Sequence, residues 1–278
     1  MKQPPTSIDL HCHSNRSDGS LPPADLVRAA VAAGVEVLAL TDHDSVDGLA
    51  EATEAAHGTA LRLIPGVELS ASWQRRTLHI VGLGIDAGHP TLTALLARTR
   101  ALRESRAAAI AAKLEKLGVK EALVKAQAIS NGQITRTHFA RLLITEGKCK
   151  NMQRAFDRFL GTGKPAYVAV EWASLEESVQ TIHAAGGRAV LAHPLRYDLS
   201  GAWRDRLLAA FTAAGGDGLE VCCGSSNLDD IQTSLADAVR HKLRGSIGSD
   251  FHSPGLSWNQ LGRVYPLPTS VQPVWAGL

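Results

Sequence analysis

Short apolar runs that end abruptly in imidazole and carboxylate are the feature that most restricts what this chain can become. Ile8-Asp9-Leu10 leads into His11-Cys12-His13, and Val37-Leu38-Ala39-Leu40 leads through Thr41 into Asp42-His43-Asp44. Each run has the length of a buried strand. Side chains two apart on a strand share a face, so His11 and His13 can reach one object together. Asp18 follows in Ser17-Asp18-Gly19-Ser20, a loop able to fold back onto the same point. The ending recurs with Glu68 in Leu61–Leu69, His79 in Leu78–Leu83, His193 after Arg188–Ala192, and Asp250 and His252 after Arg244–Gly248. One such histidine is an ordinary half-buried side chain. A whole series of them has no packing rationale, and it describes a metal cage.

The spacing between these runs predicts an α/β chain. Pro22-Pro23 opens a helix ended by Gly34, a second helix follows over 46–57, and strand–helix alternation of this kind builds a parallel sheet or a barrel. In a barrel the strand ends share one face, where βα-barrel enzymes carry their active sites. The rhythm breaks near Pro90. Thr91–Leu117 reads as one long helix, Glu121–Leu160 as further helical segments, and Gly161-Thr162-Gly163-Lys164-Pro165 as the exit. The expected organisation is therefore a discontinuous barrel, 1–89 and 166–278, with a helical insertion, 90–165, covering the active site. The tail from Leu256, with Trp258, Pro266, Pro268 and Trp275, is expected to pack on the barrel. Hydrophobic residues form 45% of the 278, enough for a core of this size.

Several classes are set aside by the bulk properties. A net charge of +2 carries no global signal for nucleic acid or membranes. No apolar run approaches the roughly 20 residues needed to span a bilayer, and Met1–Thr6 lacks the apolar stretch of a secretory signal. Cys12, Cys149, Cys222 and Cys223 contain no C-x-x-C pair, which argues against a zinc ribbon and a disulfide scaffold. A cytoplasmic protein without membrane attachment or an obligate protein partner is expected. Imidazoles with carboxylates and no thiolate suit Mn²⁺, Fe²⁺ or Zn²⁺. The donors exceed what one ion can take, so two or three divalent ions are expected, with a carboxylate as bridge.

Taken in order, H-x-H near the N-terminus, T-D-H, G-V-E, A-H-P and a late S-D-x-H form a series that resembles the PHP (polymerase and histidinol phosphatase) family. Thr135-Arg136-Thr137-His138-Phe139-Ala140-Arg141 and Leu191-Ala192-His193-Pro194-Leu195-Arg196-Tyr197 extend the resemblance to its ribonuclease AM-like branch. That branch removes phosphate from 3′,5′-nucleotide bisphosphates and trims short 5′-monophosphorylated RNA. The resemblance implies a distorted (β/α)7-type PHP barrel and a metal-dependent phosphoesterase acting through a metal-bridging hydroxide. It further implies a small nucleotide substrate with two phosphates, or short RNA, and Mn²⁺ as the metal. Histidinol-phosphate phosphatase and a non-catalytic PHP module are the alternatives.

Carried over residue by residue, the resemblance implies three ion sites. His11, His13, Glu68 and Asp250 form one, Glu68, His79 and His138 the second, and Asp18, His43 and His252 the third. His193 is left over and is open to three roles: a further ligand, a general acid for the leaving alkoxide, or a partner behind the ligands. The catalytic role is favoured, because a histidine near neutral pKa suits proton donation. Arginine grips phosphate with paired hydrogen bonds, and Arg136 and Arg196 lie close in sequence to His138 and His193. Both are assigned to substrate and catalysis. Arg141, Ser225 and Asn227 are further substrate-binding candidates, and Lys164 is a weaker one. Asp42 is expected behind the ligands and Asp44 as a helix cap. Arg98, Arg100, Arg103 and Arg106 are expected on a solvated helix face, and Cys222 and Cys223 outside the chemistry.

Overall fold

The computed structural model describes residues 6–255 and 259–278. The Met1–Pro5 start, and Leu256–Trp258 with its expected anchor Trp258, lie outside the described residues. Seven strands form one sheet in the order β1 (Ile8–Cys12), β2 (Val37–Leu40), β3 (Arg62–Trp73), β4 (Arg76–Leu83), β6 (Arg188–Leu191), β7 (Gly218–Cys223) and β8 (Arg244–Gly248). A two-residue β5 (Ala173–Ser174) pairs with β3 off this path. The sheet curls into a nearly closed barrel. Past the ends of β1 and β8, the Asp250 N–H donates to His11 O (2.7 Å) and the His13 N–H to Phe251 O (2.9 Å). The expected α/β barrel is the fold of this chain.

One strand departs from the expected parallel order. β3 and β4 form an antiparallel hairpin, and β4 is also antiparallel to β6. Gln74 and Arg75 make the turn, both with positive φ, as a tight hairpin that matches strand twist requires. Reversal explains how His79, near the start of its strand, reaches the mouth that other strands reach at their ends. His79 pairs with Ser70, two residues from Glu68 and on the same face of β3.

Two irregularities aim further side chains at the mouth. The β1–β2 register shifts between Asp9 and Cys12, and the β7–β8 register between Glu220 and Cys222. Leu10 packs in the barrel interior, whereas Cys12 joins the layer between sheet and helices. Bulges bend a strand and re-aim its side chains, and these two lie at His11 and Glu220. The interior is filled by Leu10, Ala39, Ile64, Val81, Val190 and Ala192, with Val274 from the tail inserted among them. The tail is held by Gly245, whose N–H donates to Gln272 O and whose O accepts from Val274 N–H.

Outer helices α1 (Pro23–Ala32), α2 (Leu49–Ala56), α7 (Leu175–Ala184), α8 (Gly201–Ala213) and α9 (Leu228–Arg240) cover the sheet. The intervening residues form α3 (Pro90–Lys116), α4 (Ala122–Ile129), α5 (Arg136–Thr145) and α6 (Met152–Ala155), which continues into a π-helical turn, Phe156–Leu160. Helix α3 joins two cores. Leu92, Leu95 and Leu96 pack with the barrel layer, whereas Ala107, Ile110 and Leu114 pack with Phe139, Leu143 and Leu160 in a separate apolar cluster. Among the described residues, no helix is long and apolar enough to cross a membrane.

Closure leaves no room between β8 and β1. A Cβ on Gly248 would stand 2.3 Å from His11 Cβ and 3.0 Å from Glu220 Oε1. Gly248→Ala is therefore expected to cost about 1–3 kcal/mol, the usual penalty for overpacking, read as a lower urea midpoint. An unchanged midpoint would contradict the tight closure.

Candidate metal centre

Glu68 lies at the middle of the barrel mouth with no exposed surface. Its Oε1 is 3.0 Å from His79 Nδ1, 3.2 Å from His11 Nε2 and 3.2 Å from His193 Nε2. Its Oε2 is 2.7 Å from His43 Nδ1 and 3.4 Å from His13 Nε2. The β2 end is locked to this strand, because Asp44 N–H donates to Glu68 O and Glu68 N–H to Asp42 O. Two more carboxylates flank the hub. Asp250 Oδ1 is 3.2 Å from His13 Nε2 and 3.5 Å from His11 Nε2, and Asp18 Oδ1 is 3.3 Å from His252 Nε2 and 3.8 Å from His43 Nε2.

The donor atoms fall into four overlapping groups that could each hold an ion. They are His13, Asp18, His43 and His252; His11, His13 and Asp250; His11, Glu68 and His193; and His43, Glu68 and His79. Donors sharing one ion at about 2.0–2.2 Å stand roughly 3–3.6 Å apart, which is the spacing found here. Buried polar atoms ordinarily have hydrogen-bond partners, yet His11 Nε2, Asp18 Oδ1, His43 Nδ1, Glu68 Oε2 and His79 Nδ1 have none. Nitrogen and oxygen donors left unpaired and facing one another fit divalent metal.

The electrostatics are those of a charge cluster that burial opposes. Burial pushes the Glu68, Asp18 and Asp250 carboxyls upward, but neighbouring charges hold all three well below the carboxylate range. For Glu68 the leading ones are His43 and His79, for Asp18 His43 and His252, and for Asp250 Arg196 and His252. Burial, then His252 and His43, lowers His13 to about 3. Burial, partly offset by Glu68, lowers His79 to about 4. Burial also opposes protonation of His252, but Asp18 and Asp250 raise it to about 9. Asp44, His193 and Asp250 all have positive φ at strand ends around the cluster. Backbone strain of this kind gathers at functional sites.

Eight of the nine expected ligands converge, and His138 does not. It is buried at the third position of α5, where its Nδ1 accepts the Thr135 N–H (2.9 Å) in a capping box. Burial, opposed by Asp18, lowers it to about 4, so it is a neutral acceptor. Thr135 Oγ1 donates to Asp18 Oδ2 (3.1 Å), and Arg141 Nη2 to Asp18 O (2.7 Å). Helix α5 thus grips the Asp18 loop, and Arg141 is occupied by main chain rather than facing substrate. His193 takes the place expected of His138, beside Glu68 and stacked on His11.

Other expectations shift for local reasons. Asn227 caps α9 by accepting from the Asp229 and Asp230 N–H groups, which removes it from substrate. Ser225 accepts from Arg196 Nη2 (2.8 Å). Asp44 is not a cap: it accepts from Ser70 N–H and from the buried Arg103, which also reaches Ser70 Oγ (3.0 Å). Asp42 organises the first loop, accepting from Ser14 N–H, Ser14 Oγ and Ser17 Oγ. Arg98 and Arg100 are exposed in ion pairs with Glu177 and Asp47, as a solvated face predicts, but Arg103 is buried and Arg106 half-buried against Trp172.

Glu220 was not anticipated. Its Oε1 faces His11 Nδ1 (3.1 Å) and its Oε2 accepts the His193 N–H (2.6 Å), so one carboxylate fixes two ligands from behind. The only signal in the sequence is an acid inside the apolar run Leu219–Cys223. A cleft of about 240 Å³ opens over the cluster, and its walls carry Arg103, Arg106, Arg136 and Arg196. A larger cavity of about 550 Å³ beside α3 and α4 shares only Arg103 with it and holds none of the grouped donors.

The PHP domain model matches residues 9–171. This chain belongs to the PHP domain family. The PHP relatives include a 5′-3′ exoribonuclease of Haemophilus influenzae, 50% identical over 96% of this chain and 97% of its own. A 3′,5′-nucleoside bisphosphate phosphatase of Chromobacterium violaceum is 46% identical over 98% of this chain and 96% of its own. Among solved structures, an amidohydrolase from Chromobacterium violaceum with bound sulfate and no metal superposes with a TM-score of 0.93. It is 46% identical and covers 97% of this PHP chain and 95% of its own.

Metal content separates His138 from His193. His193→Asn is expected to lose bound metal on elemental analysis. His138→Gln should keep it, while losing about 1 kcal/mol of stability with its cap. Glu220→Gln is expected to weaken metal affinity about 10- to 100-fold in chelator competition, as loss of a ligand's hydrogen-bonded carboxylate does. Equal metal loss in both histidine variants would return His138 to the ligand set.

Proposed function

We propose that this protein is a metal-dependent phosphoesterase that removes the 3′-phosphate of nucleoside 3′,5′-bisphosphates, such as adenosine 3′,5′-bisphosphate to AMP. Trimming of short 5′-monophosphorylated RNA from its 5′ end is the second activity of the same site. The observation that carries this reading is a Glu68-centred set of unpaired donors beneath a cleft walled by arginines. The names of the relatives that match nearly end to end support it.

In this reading His11, His13, Asp18, His43, Glu68, His79, His193, Asp250 and His252 hold two or three divalent ions, with Mn²⁺ the expected metal. When bound, the ions supply Lewis acidity and neutralise charge on the phosphoryl oxygens during displacement. Glu68, with an imidazole on each side of both oxygens, suits a bridge between ions. Glu220 sets the His11 tautomer by taking its Nδ1–H, which leaves Nε2 to ligate. Because His193 Nε2 faces Glu68, its expected role as proton donor gives way to ligation. Arg196 bonds Asp250 and lines the cleft, so it both restrains a ligand and faces substrate. Arg136 sits half-buried over Phe156, on the wall formed by the helical residues.

The Mn²⁺-loaded protein is expected to release phosphate from adenosine 3′,5′-bisphosphate with 5′-AMP as product, and to cleave a 5′-phosphorylated dinucleotide. Histidinol phosphate should be turned over far more slowly. Preference for histidinol phosphate in the same phosphate-release assay would overturn the nucleotide assignment, and no turnover of any of these by metal-loaded protein would favour a non-catalytic module.

A further inference from the structure

Two guanidinium groups in the cleft have no acid to answer them. Arg106 projects from α3, one turn after Arg103, and its one hydrogen bond among the described residues is Nε–H to Val168 O (3.2 Å). Arg136, the first residue of α5, makes neither a hydrogen bond nor an ion pair among the described residues, and lies 5.6 Å over the Phe156 ring. Both are half-buried and both line the cleft above the metal donors. Arg103, by contrast, is neutralised by Asp44, and Arg196 by Asp250. Holding two unpaired cations in a partly desolvated wall is unfavourable: burial, then Arg136 and Arg103, lowers Arg106 to about 9. A bound dianion removes that cost, and arginine pairs offer phosphate a fork of parallel donors.

Trp172 makes the arrangement rigid. Its ring centroid lies 5.2 Å from the Arg103 guanidinium and 5.6 Å from that of Arg106, so both cations rest on one buried aromatic platform. Its backbone N–H is fixed to Ser72 Oγ (2.8 Å), and its Nε1–H is buried without an acceptor among the described residues. Arg103, clamped to Asp44 and Ser70, anchors the stack to the strand that carries Glu68. The cleft thus has two poles: Arg196 and the metal donors on one side, the free pair Arg106 and Arg136 on the other.

We propose that Arg106 and Arg136, with Arg106 held in place by Trp172, form the binding site for the phosphate monoester that is not cleaved. This rests on the phosphoesterase reading above and extends it, by making that pair the group that selects substrates carrying a 5′-phosphate. Arg196, tied to Asp250, serves the pole where the 3′-phosphate is cleaved.

The test compares adenosine 3′,5′-bisphosphate with 3′-AMP, which lacks the 5′-phosphate, for wild type, Arg106→Ala and the exposed control Arg98→Ala. Wild type and Arg98→Ala are expected to prefer the bisphosphate. Arg106→Ala should lose that preference about 10- to 100-fold through a raised KM, the scale of lost charge-assisted hydrogen bonds, with 3′-AMP turnover unchanged. Calorimetry on the metal-free proteins gives a second readout, in which Arg106→Ala should bind 5′-AMP about tenfold or more weakly than wild type. A bisphosphate preference and 5′-AMP affinity unchanged in Arg106→Ala would overturn the proposal. If wild type hydrolyses neither nucleotide, the phosphoesterase reading fails, and the 5′-AMP affinities alone decide whether Arg106 and Arg136 form a phosphate site.

Discussion

Everything at the mouth of this barrel answers to one buried carboxylate. Glu68 has no exposed surface, and imidazoles of His11, His13, His43, His79 and His193 lie within 3.4 Å of its oxygens. A lone carboxylate so buried would be severely destabilised, and only cations or metal can offset that. The requirement draws side chains from β1, the β2 end, β4 and the β6 end to one point, and so links the register of much of the sheet to a single charge. Local chain geometry accommodates it through two bulges, an inverted strand and positive φ at Asp44, His193 and Asp250.

Around the ligands runs a second ring of polar groups that decides how far each can move. Glu220 holds His11 and the His193 peptide, Asp42 holds the Ser14–Ser17 loop, and Asp44 holds Ser70 and Arg103. Thr135 and Arg141 tie the helical residues to Asp18. The helical segment is therefore joined to the metal donors by charge-assisted and hydroxyl contacts, while its apolar packing is largely its own. Such an arrangement lets one set of residues build the metal-binding floor and another set the walls that meet substrate.

How much of this was legible in the sequence follows from how local each cause is. Strand ends carrying His11, His13, His43, Glu68 and Asp250 declare themselves, because an apolar run stopped by imidazole or acid is readable over a few residues. Glu220 and Arg103 were hidden for the opposite reason. An acid in an apolar strand and an arginine on a long helix have the local patterns of ordinary residues, and only partners far along the chain, His11 and Asp44, give them meaning. Asn227 and Asp44 misled in complementary ways: one is a cap that resembled a ligand contact, the other a buried anchor that resembled a cap.

The sequence by itself determined the α/β alternation, the helical interruption after Pro90, the donor chemistry, and eight of the residues that converge. Those properties rest on periodicity and side-chain type, which survive without knowledge of the fold. Tertiary structure alone decided that His193 rather than His138 stands beside Glu68, since His138 satisfies its own helix cap three residues away. It also decided the reversal of β4, the bulges at His11 and Glu220, and the pairing of Arg103 and Arg196 with acids while Arg106 and Arg136 stay free. Each depends on which distant groups share a low-dielectric neighbourhood, and that is a property of the closed barrel rather than of any stretch of chain.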